Sequence, residues 1–244
     1  MEVIDYNENF LILRDSRFEL FWHKQLKNYE THIHLTTGEF FDPNDPSYYF
    51  FKYVPQADDV VFDVGACEGM FGYLTKNVVK EVHLFEPIKL HCCAMKHTFK
   101  NDSNVTIHNV GISNENYTTT FGVNPEGCMG CGGESNNPNE VNNEVEITTI
   151  DTFCDKTKVI PTMIKVDTEG YEMKMLNGSI NTLNKYHPKL IMSLYHNVND
   201  HVEIPEFLTK CGYKNLFFGK QQHRAGFFDS PNGKTIPVLL YAEL

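Results

Sequence analysis

The chain has 244 residues and a formal net charge of −11, from 21 basic and 32 acidic side chains. Its length suits one substantial domain, and 41% hydrophobic with 22% charged residues excludes a disordered or collagen-like chain. The acidic balance disfavours nucleic acid as a partner, because phosphates would be repelled. No apolar run approaches the roughly 20 residues of a membrane span. The N-terminal residues lack a secretory signal, so we expect a cytoplasmic protein with seven reduced cysteines.

Residues 1–56 are predicted to form an N-terminal helical cap on a domain that spans residues 57–244. Ser16 and Glu19 have the spacing of a capping box, in which each side chain bonds the backbone N–H of the other residue. Apolar residues then recur at helical spacing over residues 18–29, which predicts an amphipathic helix. A break with two prolines at 42–46 separates this helix from the aromatic residues 48–51.

From residue 59 onward, strand patterns alternate with helix patterns. Buried strands are predicted at 59–64, 82–86, 105–110, 162–167 and 190–195, and helices at 69–79, 88–100, 172–186 and 204–211. Residues 118–123 and 144–149 alternate like exposed strands, and strands at 213–218 and 237–242 close the chain. This order predicts an α/β protein with a parallel sheet and helices on both faces.

A loop rich in glycine and asparagine is predicted at 125–143, between the two exposed strands. Loops of this length are typical of mobile lids, although a disordered surface excursion has the same composition. The loop contains Cys128 and Cys131, the nearest approach to a metal motif in the chain. Without a second pair at zinc spacing, we interpret these cysteines as small residues of a glycine-rich loop.

The first buried strand ends in a turn that carries Asp63, Gly65 and Gly69. A dinucleotide site would have G-x-G-x-x-G here, and the Asp63 carboxylate would repel a pyrophosphate. A carboxylate favours a cation instead, such as the ammonium and sulfonium groups of S-adenosylmethionine. Glu86 ends the next strand, where an acid can accept hydrogen bonds from ribose hydroxyls. The alternatives are a helix N-cap for Asp63 and a solvated strand end for Glu86.

A second motif lies farther along the chain, with Thr149-Ile150-Asp151 before it and Leu176-Asn177-Gly178 after it. It reads Ile164-Lys165-Val166-Asp167-Thr168-Glu169-Gly170-Tyr171-Glu172. This block is similar to the I-K-x-D-x-E-G-x-E motif of the FkbM-type family of class I methyltransferases, and the resemblance covers about residues 58–195. Cys67 and Glu68 depart from the family pattern, since many members carry asparagine and an apolar residue there.

The resemblance implies a Rossmann-like class I methyltransferase fold, with a mostly parallel seven-stranded sheet whose last strand is antiparallel. It also implies an S-adenosylmethionine-dependent methyltransferase that usually acts on a hydroxyl oxygen. The cofactor would then contact the first turn, the end of the second strand, the turn after the third and the end of the fourth. These positions are Asp63, Gly65, Ala66, Gly69, Glu86, Asn109, Val110, Gly111 and Asp167.

Methyl transfer requires alignment of the acceptor with the methyl group and removal of the acceptor's proton. Asp167, Glu169 and His196 follow predicted strands and are the candidate catalytic residues. With Asn197 they are also candidate ligands for Mg²⁺, which would lower the proton affinity of the hydroxyl. We interpret Glu172 as an acid stabilised by a helix dipole. Lys165 is predicted to pair with an acid rather than to take part in catalysis.

The aromatic residues 48–51 are candidates for the wall of the acceptor site, or else they pack the N-terminal cap. An aromatic wall with acidic hydrogen-bond acceptors suits a sugar, a glycan or another polyhydroxylated compound. Alternatives are a polyketide or phenol acceptor, a non-catalytic subunit that binds S-adenosylmethionine, or a nicotinamide oxidoreductase. The missing G-x-G-x-x-G argues against the last of these, and the oligomeric state is left open.

Overall fold

The computed structural model describes residues 1–124, 133–135, 137, 140–222 and 236–244. Its strands are β1 (Glu2–Asp5), β2 (Phe10–Asp15), β3 (Phe18–His23), β4 (Val60–Val64), β5 (Glu81–Phe85), β6 (Val105–His108), β7 (Val110–Ile112), β8 (Tyr117–Val123), β9 (Gly133–Glu134), β10 (Val141–Thr148), β11 (Met163–Val166), β12 (Lys189–Ser193), β13 (Asn215–Phe218), β14 (Gln221–Gln222), β15 (Ile236–Pro237) and β16 (Leu239–Glu243). Its helices are α1 (Tyr29–Phe41), α2 (Met70–Thr75), α3 (Lys89–Thr98), α4 (Ile150–Thr157), α5 (Glu172–Asn177), α6 (Ile180–Tyr186) and α7 (Asp200–Lys210).

A seven-stranded sheet in the order β13-β16-β12-β11-β4-β5-β6 forms the centre of the molecule. The five strands from β12 to β6 are parallel, and β16 runs antiparallel to both of its neighbours. Every residue of β4 and β11 is buried, because helices cover both faces of the sheet. This architecture confirms the predicted Rossmann-like fold.

Alternate residues of the central strands belong to two separate cores, one on each face of the sheet. Val61 of β4 packs with Met70 and Met95 from α2 and α3. Phe62, the next residue, packs on the opposite face with Met175 and Leu183 from α5 and α6. The two-residue period of a strand thus distributes the apolar side chains between both layers.

The predicted helix at 18–29 is wrong, because β3 occupies its first half. β1, β2 and β3 form an antiparallel sheet in which Asp15 pairs with Phe18 across a tight turn. The Asp15 carboxylate accepts the backbone N–H of Arg17 at 3.0 Å, so this local bond stabilises a turn instead of a capping box. Alternate burial of Phe18, Leu20 and Trp22 supplies the strand's core contacts. The helix of this segment is α1, which begins at Tyr29.

Two other predicted elements are each divided in the structure. The helix predicted at 172–186 consists of α5 and α6, with a break at Gly178. A side chain there is excluded, since a Cβ on Gly178 would lie 2.1 Å from the backbone oxygen of Ser113. The strand predicted at 105–110 is also two strands, because β7 leaves the main sheet and pairs with β10. It joins a second sheet in the order β7-β10-β8-β9.

Most of the predicted lid at 125–143 lies outside the described residues, as do Cys128 and Cys131. The last part of that range belongs to β10, which begins at Val141. Among the helices that the structure describes, none has the length and apolarity needed to cross a membrane.

Candidate active site

A cavity of about 800 Å³ opens at the carboxyl ends of β4, β5 and β11, where open α/β sheets bind their ligands. Residues of α1 form part of its other wall. Among the described residues, the lining includes two side chains that are permanently cationic, Arg17 and Lys165. Seven carboxylates also line it: Glu39, Asp42, Asp45, Glu68, Glu86, Asp167 and Glu169. This excess of acids favours a positively charged ligand.

The glycine turn after β4 lies tightly against its neighbours and forms one wall of the cavity. Gly65 has φ +76°, and a Cβ at this position would lie 1.8 Å from the backbone oxygen of Asp167. Gly65 and Ala66 donate their backbone N–H groups to the Phe85 oxygen at 3.0 and 3.1 Å. Gly69 precedes α2 with φ +85°, and a Cβ there would lie 2.9 Å from the Phe99 ring. Only glycine fits at Gly65, which explains the first glycine of the turn motif.

Asp63 lies behind this turn rather than on the cavity wall. It is fully buried, and its Oδ1 is 3.0 Å from the Lys165 Nζ, which confirms the predicted pairing of Lys165 with an acid. The same ammonium group donates to the Gly65 oxygen at 2.8 Å. Burial raises the pKa of Asp63, while the charge of Lys165 opposes that rise. Asp63 therefore supports the turn indirectly, because it pairs with the Lys165 ammonium that bonds the Gly65 oxygen.

Glu86 lies on the cavity wall at the end of β5. Its Oε2 accepts the backbone N–H of Cys67 at 2.8 Å, and its Oε1 accepts that of Ile88 at 2.7 Å. A carboxylate has about four lone-pair sites, so the group retains capacity for two further donors. Burial raises the pKa of Glu86 to about 7, although both backbone bonds act in the opposite direction. The arrangement suits recognition of a pair of hydroxyl groups.

The three residues predicted around the third strand divide between two roles. Val110 and Gly111 line the cavity. The Asn109 side chain instead donates to the backbone oxygens of Glu86 and Pro87, each at 2.9 Å. Asn109 thus holds the end of β5, on which Glu86 lies.

The predicted catalytic residues come together beyond the ends of β11 and β12. The His196 Nε2 lies 3.5 Å from Asp167 Oδ1 and 3.4 Å from Glu169 Oε2. Tyr49 donates its hydroxyl to Asp167 Oδ2 at 2.5 Å, and the Tyr195 hydroxyl lies 3.4 Å from both oxygens of that carboxylate. All five side chains line the cavity.

Charge in this cluster is set by buried neighbours. Burial lowers the pKa of His196, but the hydrogen bond that its Nδ1–H donates to Glu172 and the charges of Asp167, Glu172 and Glu169 outweigh it and raise the pKa to about 9. Burial raises the pKa of Asp167, but His196, Lys165 and the Tyr49 hydroxyl outweigh it and hold that pKa below its usual value. Near neutral pH, an ionised Asp167 therefore faces a protonated His196.

Glu172 has a larger role than the helix-dipole interpretation gave it. Its side chain is fully buried, and its Oε1 lies 2.8 Å from His196 Nδ1. The same oxygen accepts the Thr168 backbone N–H at 2.9 Å. Glu172 thus orients His196 and the segment that carries Glu169. Its place as the last acid of the second motif was the available sequence signal.

Tyr49 and Tyr195 were not assigned individual roles from the sequence. Of the aromatic residues 48–51, Tyr49 lines this cavity, while Phe50 stacks on Phe71 with ring centroids 5.5 Å apart. The run of four aromatic residues predicted a ring in the wall of the site, but only the fold shows that Tyr49 is the one that lines the cavity. For Tyr195, adjacency to His196 at the end of a strand was the one available indication.

The residues proposed as Mg²⁺ ligands are only partly grouped. Donor atoms of Asp167, Glu169 and His196 all lie within 4.8 Å of one another. The Asn197 amide nitrogen donates to the Gly170 oxygen at 3.2 Å and to Asp200 Oδ2 at 3.1 Å. A protonated imidazole has no lone pair for a metal, so the raised pKa of His196 opposes metal binding. The Mg²⁺ site stays a prediction.

Comparison with known families agrees with the fold and with both motifs. The family model described as the methyltransferase FkbM domain matches residues 63–214, which is more than half of the chain. The chain therefore belongs to the FkbM family of S-adenosylmethionine-dependent methyltransferases, as its motifs predicted. None of the curated proteins compared with the chain matches it.

One solved structure shows the same fold, and two others are less similar. A methyltransferase FkbM from Methylobacillus flagellatus is 20% identical, with a TM-score of 0.55, over 81% of this chain and 47% of its own. The chain thus spans about half the length of that protein. A precorrin-6y C5,15-methyltransferase from Geobacter metallireducens is 11% identical (TM-score 0.48; 84% and 91% covered). M. jannaschii TYW2, solved in complex with AdoMet, is 12% identical (TM-score 0.47; 99% and 89% covered).

Proposed function

We propose that this chain transfers a methyl group from S-adenosylmethionine to a hydroxyl oxygen of a sugar, a glycan or a similar polyhydroxylated compound. The observation that carries the proposal is the Asp167 carboxylate on the cavity wall, which lies within hydrogen-bond reach of the Tyr49 and Tyr195 hydroxyls. A carboxylate accepts a hydrogen bond from an alcohol, and the partly exposed Tyr195 ring offers a flat apolar face against which a sugar ring packs.

The donor end of the cavity fits S-adenosylmethionine. Glu86 retains lone pairs for the two ribose hydroxyls, and the glycine turn allows close approach to the backbone. The acidic lining favours the ammonium and sulfonium charges. When bound, the donor supplies a methyl group on a positively charged sulfur, which leaves as a neutral thioether.

Asp167 is the residue we assign to the acceptor's proton. His196 keeps its own proton near neutral pH, so it cannot accept another one. Asp167 is ionised and can orient the hydroxyl and take its proton as the oxygen–carbon bond forms. His196 and Lys165 keep Asp167 in the anionic form, and Glu172 positions His196. Glu169 is the remaining acid within reach of this cluster.

The test is transfer of a labelled methyl group to a panel of free sugars, glycans, phenols and polyketides. We expect labelled sugars or glycans, and a loss of about 10²-fold or more in Asp167→Asn. Asp155→Asn is the matched control, since Asp155 is an exposed acid paired with Lys158. S-adenosylhomocysteine should bind all three proteins alike. Label on phenols or polyketides alone would overturn the acceptor class, and full activity of Asp167→Asn would overturn its role.

We also retain Mg²⁺ dependence as a proposal on Asp167, Glu169 and His196, in which His196 would give up its proton when the ion binds. The assay is repeated after EDTA treatment and again after Mg²⁺ alone is returned. Activity that EDTA abolishes and Mg²⁺ restores supports the requirement. Activity that EDTA leaves unchanged, or that Mg²⁺ fails to restore, contradicts it.

A further inference from the structure

A second group of metal-ligand side chains lies on the cavity wall, apart from Asp167 and His196. His32 comes from α1, and Cys67 and Glu68 come from the turn after β4. One donor atom from each lies within 4.8 Å of those of the other two. The His32 Nε2 is 2.6 Å from Glu68 Oε2 and 3.7 Å from Cys67 Sγ. All three side chains line the cavity, which gives an ion a path of entry.

We propose that His32, Cys67 and Glu68 form a binding site for a divalent transition metal of the Zn²⁺ type. Imidazole, thiolate and carboxylate are the ligand types of zinc, and the soft sulfur disfavours Mg²⁺ and Ca²⁺. Zinc bonds of about 2.3 Å to sulfur and about 2.0 Å to nitrogen place tetrahedral ligand atoms roughly 3.5 Å apart. The separation of Sγ and Nε2 already matches this value. The His32–Glu68 pair, at 2.6 Å, has to open by somewhat less than ~1 Å.

Cys67 lies beside a second imidazole. The His91 Nε2 lies 3.4 Å from Cys67 Sγ, and His91 is buried at 1% exposure. Burial and the charges of Glu68 and Glu86 raise the pKa of the Cys67 thiol, so a bound ion would have to displace the thiol proton. An N–H of His91 would then stabilise the metal-bound sulfur. The Trp22 ring packs beside both imidazoles, with centroids 5.3 Å from His32 and 5.5 Å from His91. This aromatic side chain shields the ligands from water on one side.

A bound ion would join two parts of the chain that approach each other only in the folded state. It would hold α1, in the N-terminal segment, against the turn that also carries Gly65 and Gly69. An ion bound only by the folded state stabilises that state in proportion to the logarithm of its concentration over Kd. The proposed ion would thus stabilise the glycine turn in the folded state.

The test uses the full chain after EDTA treatment, titrated with Co²⁺ as a coloured substitute for Zn²⁺. We expect one equivalent to give the ligand-field bands of tetrahedral Co²⁺ and a sulfur-to-cobalt charge-transfer band. Trp22 is the single tryptophan of the chain, so its quenched fluorescence reports binding beside His32. Zn²⁺ should then displace Co²⁺ and bleach the bands.

Variants identify the ligands. Cys67→Ser should abolish the charge-transfer band, and His32→Gln should weaken Co²⁺ binding by about 10-fold or more. Cys93→Ser on α3 and His34→Gln on α1 are the matched controls and should bind Co²⁺ like the wild type. The double variant Cys128→Ser/Cys131→Ser removes the other candidate thiols and should also leave the spectrum unchanged.

One result would overturn the proposal without any variant, namely a wild-type Co²⁺ spectrum with no sulfur charge-transfer band. A band that the folded Cys128→Ser/Cys131→Ser protein lacks would also overturn it, because the site would then lie at that pair. For Cys67→Ser, circular dichroism first establishes that the variant is folded, and survival of the band in the folded variant contradicts the assignment.

Discussion

Replacement of Lys165 by methionine should destabilise the protein strongly. The Lys165 ammonium lies 3.0 Å from Asp63 Oδ1 and 2.8 Å from the Gly65 oxygen, with side-chain exposures of 6% for Lys165 and 0% for Asp63. Methionine keeps most of the side-chain volume, so the packing loss is small. The variant therefore isolates the loss of the buried charge.

The magnitude follows from the burial of both partners. Removal of one member of a buried ion pair costs about 3–5 kcal/mol, because the other charge remains without compensation. Lys158→Met is the matched control, because Lys158 pairs with Asp155 at 2.9 Å but both side chains are mostly exposed. That variant should lose less than about 1 kcal/mol.

The assay is equilibrium unfolding in urea, with Asp63→Asn and the double variant included to complete a double-mutant cycle. We expect the double variant to be more stable than the sum of the single losses predicts, because it carries no uncompensated charge. A loss below about 1 kcal/mol in Lys165→Met, or additive single losses, would refute the argument that this pair holds the turn.

Three further predictions test other parts of the site. The pKa of His196 is about 9 in the fold against 6.5 in a free side chain, so its stabilisation is complete below pH 6.5 and disappears as the pH rises through about 9. Wild type should therefore lose about 3 kcal/mol over this interval relative to His196→Gln, and parallel pH profiles in urea unfolding would contradict this. Gly65→Ala should weaken S-adenosylhomocysteine binding in calorimetry, because its Cβ would lie 1.8 Å from the Asp167 oxygen; unchanged binding would show that the turn can relax. Asp151→Ala should lose about 1–2 kcal/mol in thermal unfolding, because the carboxylate accepts the backbone N–H groups of Asn181 and Thr182 at 2.9 and 2.8 Å at the start of α6. A change below about 0.3 kcal/mol would exclude this capping role.

The sequence by itself determined the class of fold and predicted a donor site at the ends of its strands. Every residue of β4 and β11 is buried, and each strand is apolar except at one position, Asp63 or Lys165, which is typical of strands covered on both faces. Gly65 and Glu86 were recognisable because each follows such a strand, and the ends of parallel strands meet at one edge of the sheet. These signals are local, so they survive in a single sequence without its tertiary context.

Local signals were misleading where the same residues fit both the helical period and the two-residue period of a strand. Residues 18–29 contain apolar side chains at helical spacing, yet β3 forms over Phe18–His23. Pairing with β2 and burial of alternate side chains decided the outcome, and no isolated segment carries that information. The same limit applies to α5 and α6, which separate at Gly178 because the backbone of Ser113 passes close by.

Only the tertiary structure decided what each charged residue does. Lys165 and Gly65 are 100 positions apart, and their contact makes Asp63 a support of the turn rather than part of the cavity wall. His196 was a candidate base in the sequence, but its burial against Glu172 and its neighbouring acids keeps it protonated near neutral pH. Charge states depend on burial and on neighbours from distant segments, and neither can be read from the sequence alone.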